Sequence, residues 1–144
     1  MPSHSGDAPT AGQDEEVVRR AAEAFGRAVA EGEIEAFLEL LDPDVDFDIA
    51  SVMRHGRVEL HGRGEVRDYL EEISTEYGEL QLVLREERKL EDGSFLVLGR
   101  WVGRAGAGSR FGAPLASLLE VRDGMVVRLR GFMDEQQALD ALRS

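Results

Sequence analysis

The sequence predicts an α+β domain with its helices segregated against one face of a curled sheet. Three observations predict it. Apolar residues in the first half recur at helical spacing, residues from Leu80 onward alternate with period two, and Asp92-Gly93 and Asp123-Gly124 punctuate that second half as hairpin turns.

The elements follow in order. Met1 to Gln13 is rich in Ser, Gly, Pro and Ala and has almost nothing to bury, so residues 1–13 are expected to form a loose tail ahead of one domain spanning 14–144. From Asp14, residues Val18, Ala21, Ala22, Phe25, Ala28 and Val29 mark a first helix, with Glu15 and Glu16 in its first turn and Gly32 as its C-terminal cap. Ile34, Phe37, Leu38 and Leu41 mark a short second helix, which Asp42-Pro43 ends because proline lacks an amide hydrogen and restricts its predecessor. "VDFDI" reads as a strand, and the stretch from Ala50 to Gly64 as a loop or small ribbon. Val66, Tyr69, Leu70, Ile73 and Tyr77 mark a third amphipathic helix ending at Gly78.

Leu80, Leu82 and Leu84 then open a four-stranded antiparallel meander, closed by a helix near Glu135 to Leu142. Asp134 suits the N-cap of that helix, with Gln137 completing a capping box. Phe95, Val97 and Trp101 are expected to make the second face of the central strand apolar as well, and that face needs a cover. A second copy of the sheet is the preferred cover, and the terminal helix is the alternative.

Composition narrows the function. The chain has 144 residues and a formal net charge of −12, which opposes nucleic acid as a partner because phosphate neutralisation needs a basic surface. It has no cysteine, no apolar leader and no run long enough to span a bilayer, so a soluble cytoplasmic protein without membrane contact is expected. No metal and no cofactor are expected: there is no His-x-x-x-His, the acids are scattered, and "GRAGAG" lacks the helix and lysine of a phosphate loop. His4 falls in the tail, and His55 and His61 flank the loop after the first strand, where His55 is an acid–base candidate or a surface histidine.

The stretches "AFGRAVAEGEIEAFLELLDPDVDF", "HGRGEVRDYLEEI" and "EVRDGMVVRLRGFMDEQQAL", in that order, resemble the SnoaL-like branch of the nuclear-transport-factor-two-like superfamily. The resemblance implies a cone, in which a curved antiparallel sheet is wrapped by the three helices of the N-terminal half around an apolar pocket. It also implies a homodimer through the outer sheet face. Relatives include isomerases, cyclases, epoxide hydrolases and non-catalytic binders, so the fold alone does not name the function.

Isomerases of this fold use a carboxylate base near the end of the first strand and donors where negative charge develops. The resemblance places Asp48 at the base position, Phe25 where a donor tyrosine stands and Ser117 near a protonated aspartic acid. Phe25 can donate nothing, and Ser117 can donate one weaker bond. The period of "VDFDI" pulls the other way, putting Val45, Phe47 and Ile49 on one face and Asp46 and Asp48 on the other unless a bulge intervenes. The epoxide hydrolase pattern fails, because Val102 and Gly131 stand where its two acids would lie.

If Val102 and Gly131 face the cavity, alternation sends Arg100, Val127 and Leu129 inward and Arg128, Arg130 and Asp134 outward. Arg100 would then clamp an anionic group, pair with Asp48 or snorkel to the rim. Ligand-contact candidates are therefore Arg100, Ser117, Phe25, Phe37, Met53, Val102 and Gly131, with Trp101, Phe111, Phe132 and Met133 as lining, core or interface residues. The expected function is binding of a small apolar or aromatic molecule. Proton abstraction by Asp48, or a dimeric interaction module without a ligand, stand as alternatives.

Overall fold

The computed structural model describes residues 7–50, 57–76, 80–105 and 109–143. Its first helix, α1 (Asp7–Glu31), buries Val18, Ala21, Ala28 and Val29, the positions the helical period marks. Gly32 ends it at φ 75°, a left-handed conformation that costs glycine little, with its amide donating to the Ala28 carbonyl at 3.1 Å. α1 starts earlier than expected and takes in residues 7–13, which were read as tail. Extending an existing helix adds one hydrogen bond per residue fixed, so propagation needs less support than nucleation.

α2 (Ile34–Leu38) stops before Asp42-Pro43 as expected, and Leu41 already belongs to β1 (Leu41–Ala50). The Asp42 carboxylate accepts from the Asp44 amide at 2.8 Å, and the pairing of β1 with β6 shifts register across this stretch, between Leu41 and Asp46. β2 (Arg57–His61) resolves the choice between loop and ribbon: it pairs antiparallel with β1, placing Phe47 opposite Leu60 and Ile49 opposite Val58. α3 (Gly62–Glu76) follows, while Tyr77 and Gly78 lie outside the described residues.

The expected meander is present as β3 (Gln81–Lys89), β4 (Phe95–Ala105), β5 (Ser109–Arg122) and β6 (Met125–Phe132). Asp123 and Gly124 both have positive φ, 53° and 79°, as the tight hairpin turn requires. At the other hairpin, Asp92 accepts from both the amide and the hydroxyl of Ser94, and these bonds hold its carboxyl below the usual range. The six strands form one curved, unclosed sheet in the order β2-β1-β6-β5-β4-β3. All pairings are antiparallel except β1 with β6, which runs parallel.

Helices α1 to α3 cover one face, here called inner. Phe47, Leu129, Leu119 and Phe95 form a row across β1, β6, β5 and β4 on that face, sealed by α-helical residues that include Val18, Phe37 and Leu70. The faces of β4 are the reverse of those expected. Phe95, Val97 and Trp101 belong to the inner core, and the second apolar face consists of Leu96 and Leu98 with Ala116 and Leu118 of β5.

α4 (Glu135–Arg143) covers that second face with Ala138, Leu139 and Leu142. Its start is capped by Asp134, which accepts from the Gln137 amide at 2.8 Å, while Gln137 Oε1 accepts from the Met133 amide at 3.1 Å. The reciprocal bond thus reaches one residue further back than in the usual capping box.

Two local contacts give testable consequences. A Cβ on Gly131 would lie 2.8 Å from Ile49 Cγ2 across the parallel pair, so Gly131→Ala should destabilise the fold by about 1–3 kcal/mol. Chemical denaturation should show the loss, and a second change, Ile49→Ala, should recover part of it if that contact is the cause.

At the β1–β2 ribbon, His61 Nδ1 lies 2.8 Å from Asp46 Oδ1, and this hydrogen bond raises the imidazole pKa above its ordinary 6.5. A raised histidine pKa contributes stability below the unfolded value and loses it as pH rises through the folded value. Both side chains are exposed, so the stability effect is small, but an NMR titration should give His61 a midpoint above 6.5 that falls in Asp46→Asn.

Candidate functional site

Strand alternation divides the candidate residues between two faces. On the inner face the rings of Phe25 and Phe37 lie 5.2 Å apart, Phe25 and Trp101 5.5 Å, and Phe47 and Tyr69 6.4 Å. These aromatic contacts fill the space between α1, α2, α3 and the strands behind them. Ser117 is 7% exposed and sits in register between Val97 and Gly131, so its hydroxyl is a polar group in an apolar wall. Among the described residues no carboxylate, histidine, lysine or arginine is buried.

Further along the same strands the inner face is less completely covered. Ile49, Val58, Leu60, Leu82, Ala113 and Leu115 pack against the core yet remain partly exposed. One consequence is a crevice of about 350 Å³ between β2 and α3, with Val58, Leu60 and Tyr69 beside Glu65, Asp68 and Glu72. The sequence signal for its floor is the alternation of Val58 and Leu60, which is compatible with either a loop or a ribbon.

Of the expected ligand contacts, Phe25, Phe37, Ser117 and Gly131 share the inner face. Asp48 does not: it lies between Phe47 and Ile49 in sequence, is in register with Glu59 and Arg130, and borders an open groove with Asp46, Glu59, His61 and Arg128. No bulge reverses the strand at that point, since the pairing with β6 is regular from Asp46 to Ile49.

Arg100 is also placed differently from the expectation. It is exposed, in register with Val83 and Pro114, and a Cβ on Gly112 would collide with its guanidinium. Val102, two residues on, shares that side of β4 by alternation. The glycine is therefore what lets Arg100 lie flat on the outer face, where water removes the cost that an inward arginine would carry. Met53 and His55, like His4, lie outside the described residues.

The arginine pair of β6 faces outward as alternation requires. Arg128 meets Glu120 at 3.5 Å, and Arg130 stands in register between Leu118 and Asp48. Burial, and then the charge of Arg128, pull the Arg130 pKa below its ordinary value, while Glu120, Asp92 and Asp48 act against that shift. Among the described residues there is no group of His, Asp and Glu able to hold a metal ion, and no helix is long and apolar enough to cross a membrane.

Comparison with known proteins agrees with this architecture. The chain is similar in structure to TerC co-crystallised with polyporic acid, with a TM-score of 0.68 and 19% identity over 92% of this chain and 99% of that one. A putative SnoaL-like polyketide cyclase from Jannaschia sp. CCS1 gives a TM-score of 0.69 and 18% identity over 92% and 93% of the two chains. A hypothetical protein with a ketosteroid isomerase-like fold from Catenulispora acidiphila DSM 44928, in complex with trimethylamine, gives 0.66 and 17% over 81% and 84%. No curated protein matches. The SnoaL-like domain model matches residues 22–129, from the middle of α1 into β6, and the chain belongs to that family.

Proposed function

We propose that this protein binds a small apolar or aromatic molecule against the inner face of its sheet, without an ionised base. The observation that carries this reading is the incomplete burial of Ile49, Val58, Leu60, Ala113 and Leu115, which face the same side as the sealed Phe47, Leu119 and Phe95. Apolar surface left open beside a closed core favours an apolar ligand, at about 25 cal/mol per Å² removed from water. TerC co-crystallised with polyporic acid and the protein in complex with trimethylamine support the same reading, since both are small-molecule complexes of chains similar in structure to this one. The cysteine-free sequence suits a reducing compartment such as the cytoplasm.

An isomerase or cyclase with Asp48 as base needs that carboxylate beside Ser117, whereas alternation puts the sheet between them. Asp48→Asn should therefore leave the affinity for a neutral aromatic probe such as 4-phenylbutanol unchanged, and Leu60→Glu should weaken it at least tenfold by calorimetry. Loss of binding in the Asp48 variant alone would contradict the reading.

A homodimer through the outer face is part of the proposal. Support comes from β3, where Val83 is 48% exposed, next to Arg100 and beyond the part of the face that α4 covers. Val83→Asp should shift the protein from dimer to monomer in light scattering without lowering its melting temperature by more than a few degrees. A monomeric parent protein would remove the dimer from the account.

A further inference from the structure

Arg130 carries an anomaly that the reading of a neutral ligand does not use. Its side chain is half-buried on the outer face, and its Nε is sealed from water and, among the described residues, without a hydrogen-bond partner. A cation drawn out of water is costly until an anion or an acceptor meets it.

The neighbours show why it is left in this state. Leu118 stands beside it in β5, and Phe132 lies two residues on along the same face of β6, so hydrocarbon borders the guanidinium. Arg128, two residues back, turns to Glu120 at 3.5 Å. Glu120, Asp92 and Asp48 reach Arg130 only through their charge, and they do not offset the burial and the like charge of Arg128 that pull its pKa down.

We infer that Arg130 is half of an ion pair whose other half is a carboxylate of a second copy of this chain, closed when the outer faces of two copies meet. The inference rests on the homodimer in the reading above and names a contact that holds it together. The composition argues for that occupant: the chain carries 29 acids against 17 lysines and arginines, so a copy arriving at this face presents carboxylates more often than cations. A guanidinium offers its nitrogens as a fork that takes both oxygens of a carboxylate, which a lysine ammonium does not. With Nε already shielded and Leu118 and Phe132 alongside, a pair closed here is screened by salt less than the open pair of Arg128 with Glu120.

Sedimentation equilibrium of the full chain and its variants reads the pair through the dimer, and the Nε–Hε NMR signal of Arg130 reads it directly, because a shielded Nε proton exchanges slowly. Arg130→Gln should weaken the dimer by about tenfold or more, and Arg130→Lys should recover part of that loss. Arg128→Gln should change it less than about threefold, because Arg128 already has Glu120. The Arg130 signal should move as rising concentration forms the dimer, and acetate added to the dimer should leave it in place. A dimer indifferent to Arg130→Gln, or equal losses in the two Gln variants, would overturn the inference while the dimer stands. A monomeric parent protein would overturn both, and an Arg130 signal that followed acetate in that monomer would identify a free carboxylate as the occupant instead.

Discussion

β1 lies parallel to β6 with Phe47 against Leu129, Asp48 against Arg130 and Ile49 against Gly131, and this register decides which chemistry each face of the sheet can hold. Side chains alternate along a strand, so fixing Phe47 inward fixes Asp48 outward, and a slip by one residue would exchange the two. Leu129 and Phe47 are both sealed under the helices, which makes the alternative register costly: each large apolar side chain moved to water forfeits roughly 1.5–3 kcal/mol. Gly131 lets Ile49 approach where a larger residue would collide. The aromatic contacts among Phe25, Phe37, Phe47 and Trp101 then follow from the same choice.

The two faces differ in what they can do. Inside, Ser117 offers a hydroxyl and the surrounding wall is hydrocarbon, which suits shape and apolar area as the means of recognition. Outside, Asp46, Asp48, Glu59, His61, Arg128 and Arg130 lie on exposed or half-buried ground, where ion pairs are worth little and are screened by salt. The crevice beside β2 is where the two environments meet, because β2 is an edge strand and α3 leaves Val58 and Leu60 partly open.

Much of the fold was legible because local chemistry was unambiguous. Asp123-Gly124 demands positive φ, Gly32 ends a helix, Asp42-Pro43 stops another, and Asp134 with Gln137 opens the last. The faces of β4 differ from the expectation for a physical reason: "FLVLGRWV" is apolar at both odd and even positions, so alternation exists but its direction is not marked. Choosing Val102 as an inward position carried Arg100 with it, and both lie on the other side. The answer depended on α4, whose Ala138, Leu139 and Leu142 cover Leu96 and Leu98, a contact between residues about 40 apart in sequence. Asp48 was legible from its own strand, where period two already placed it opposite Phe47, against the position that the family resemblance assigned it. Of the crevice only the alternation of Val58 and Leu60 was legible, because the groove itself needs the spatial meeting of β2 and α3.

The measurement that tests this account most directly is the pattern of nuclear Overhauser contacts from the Phe25 and Phe37 rings to the side chains of β1. The account predicts contacts to the Phe47 ring, with the Asp48 methylene protons silent toward both rings and close to the Arg130 side chain instead. Contacts from the Asp48 methylene to Phe25 or Phe37 would mean that β1 sits one residue out of this register. The carboxylate would then be inside, and the division of the sheet into an uncharged inner face and a charged outer one would be wrong.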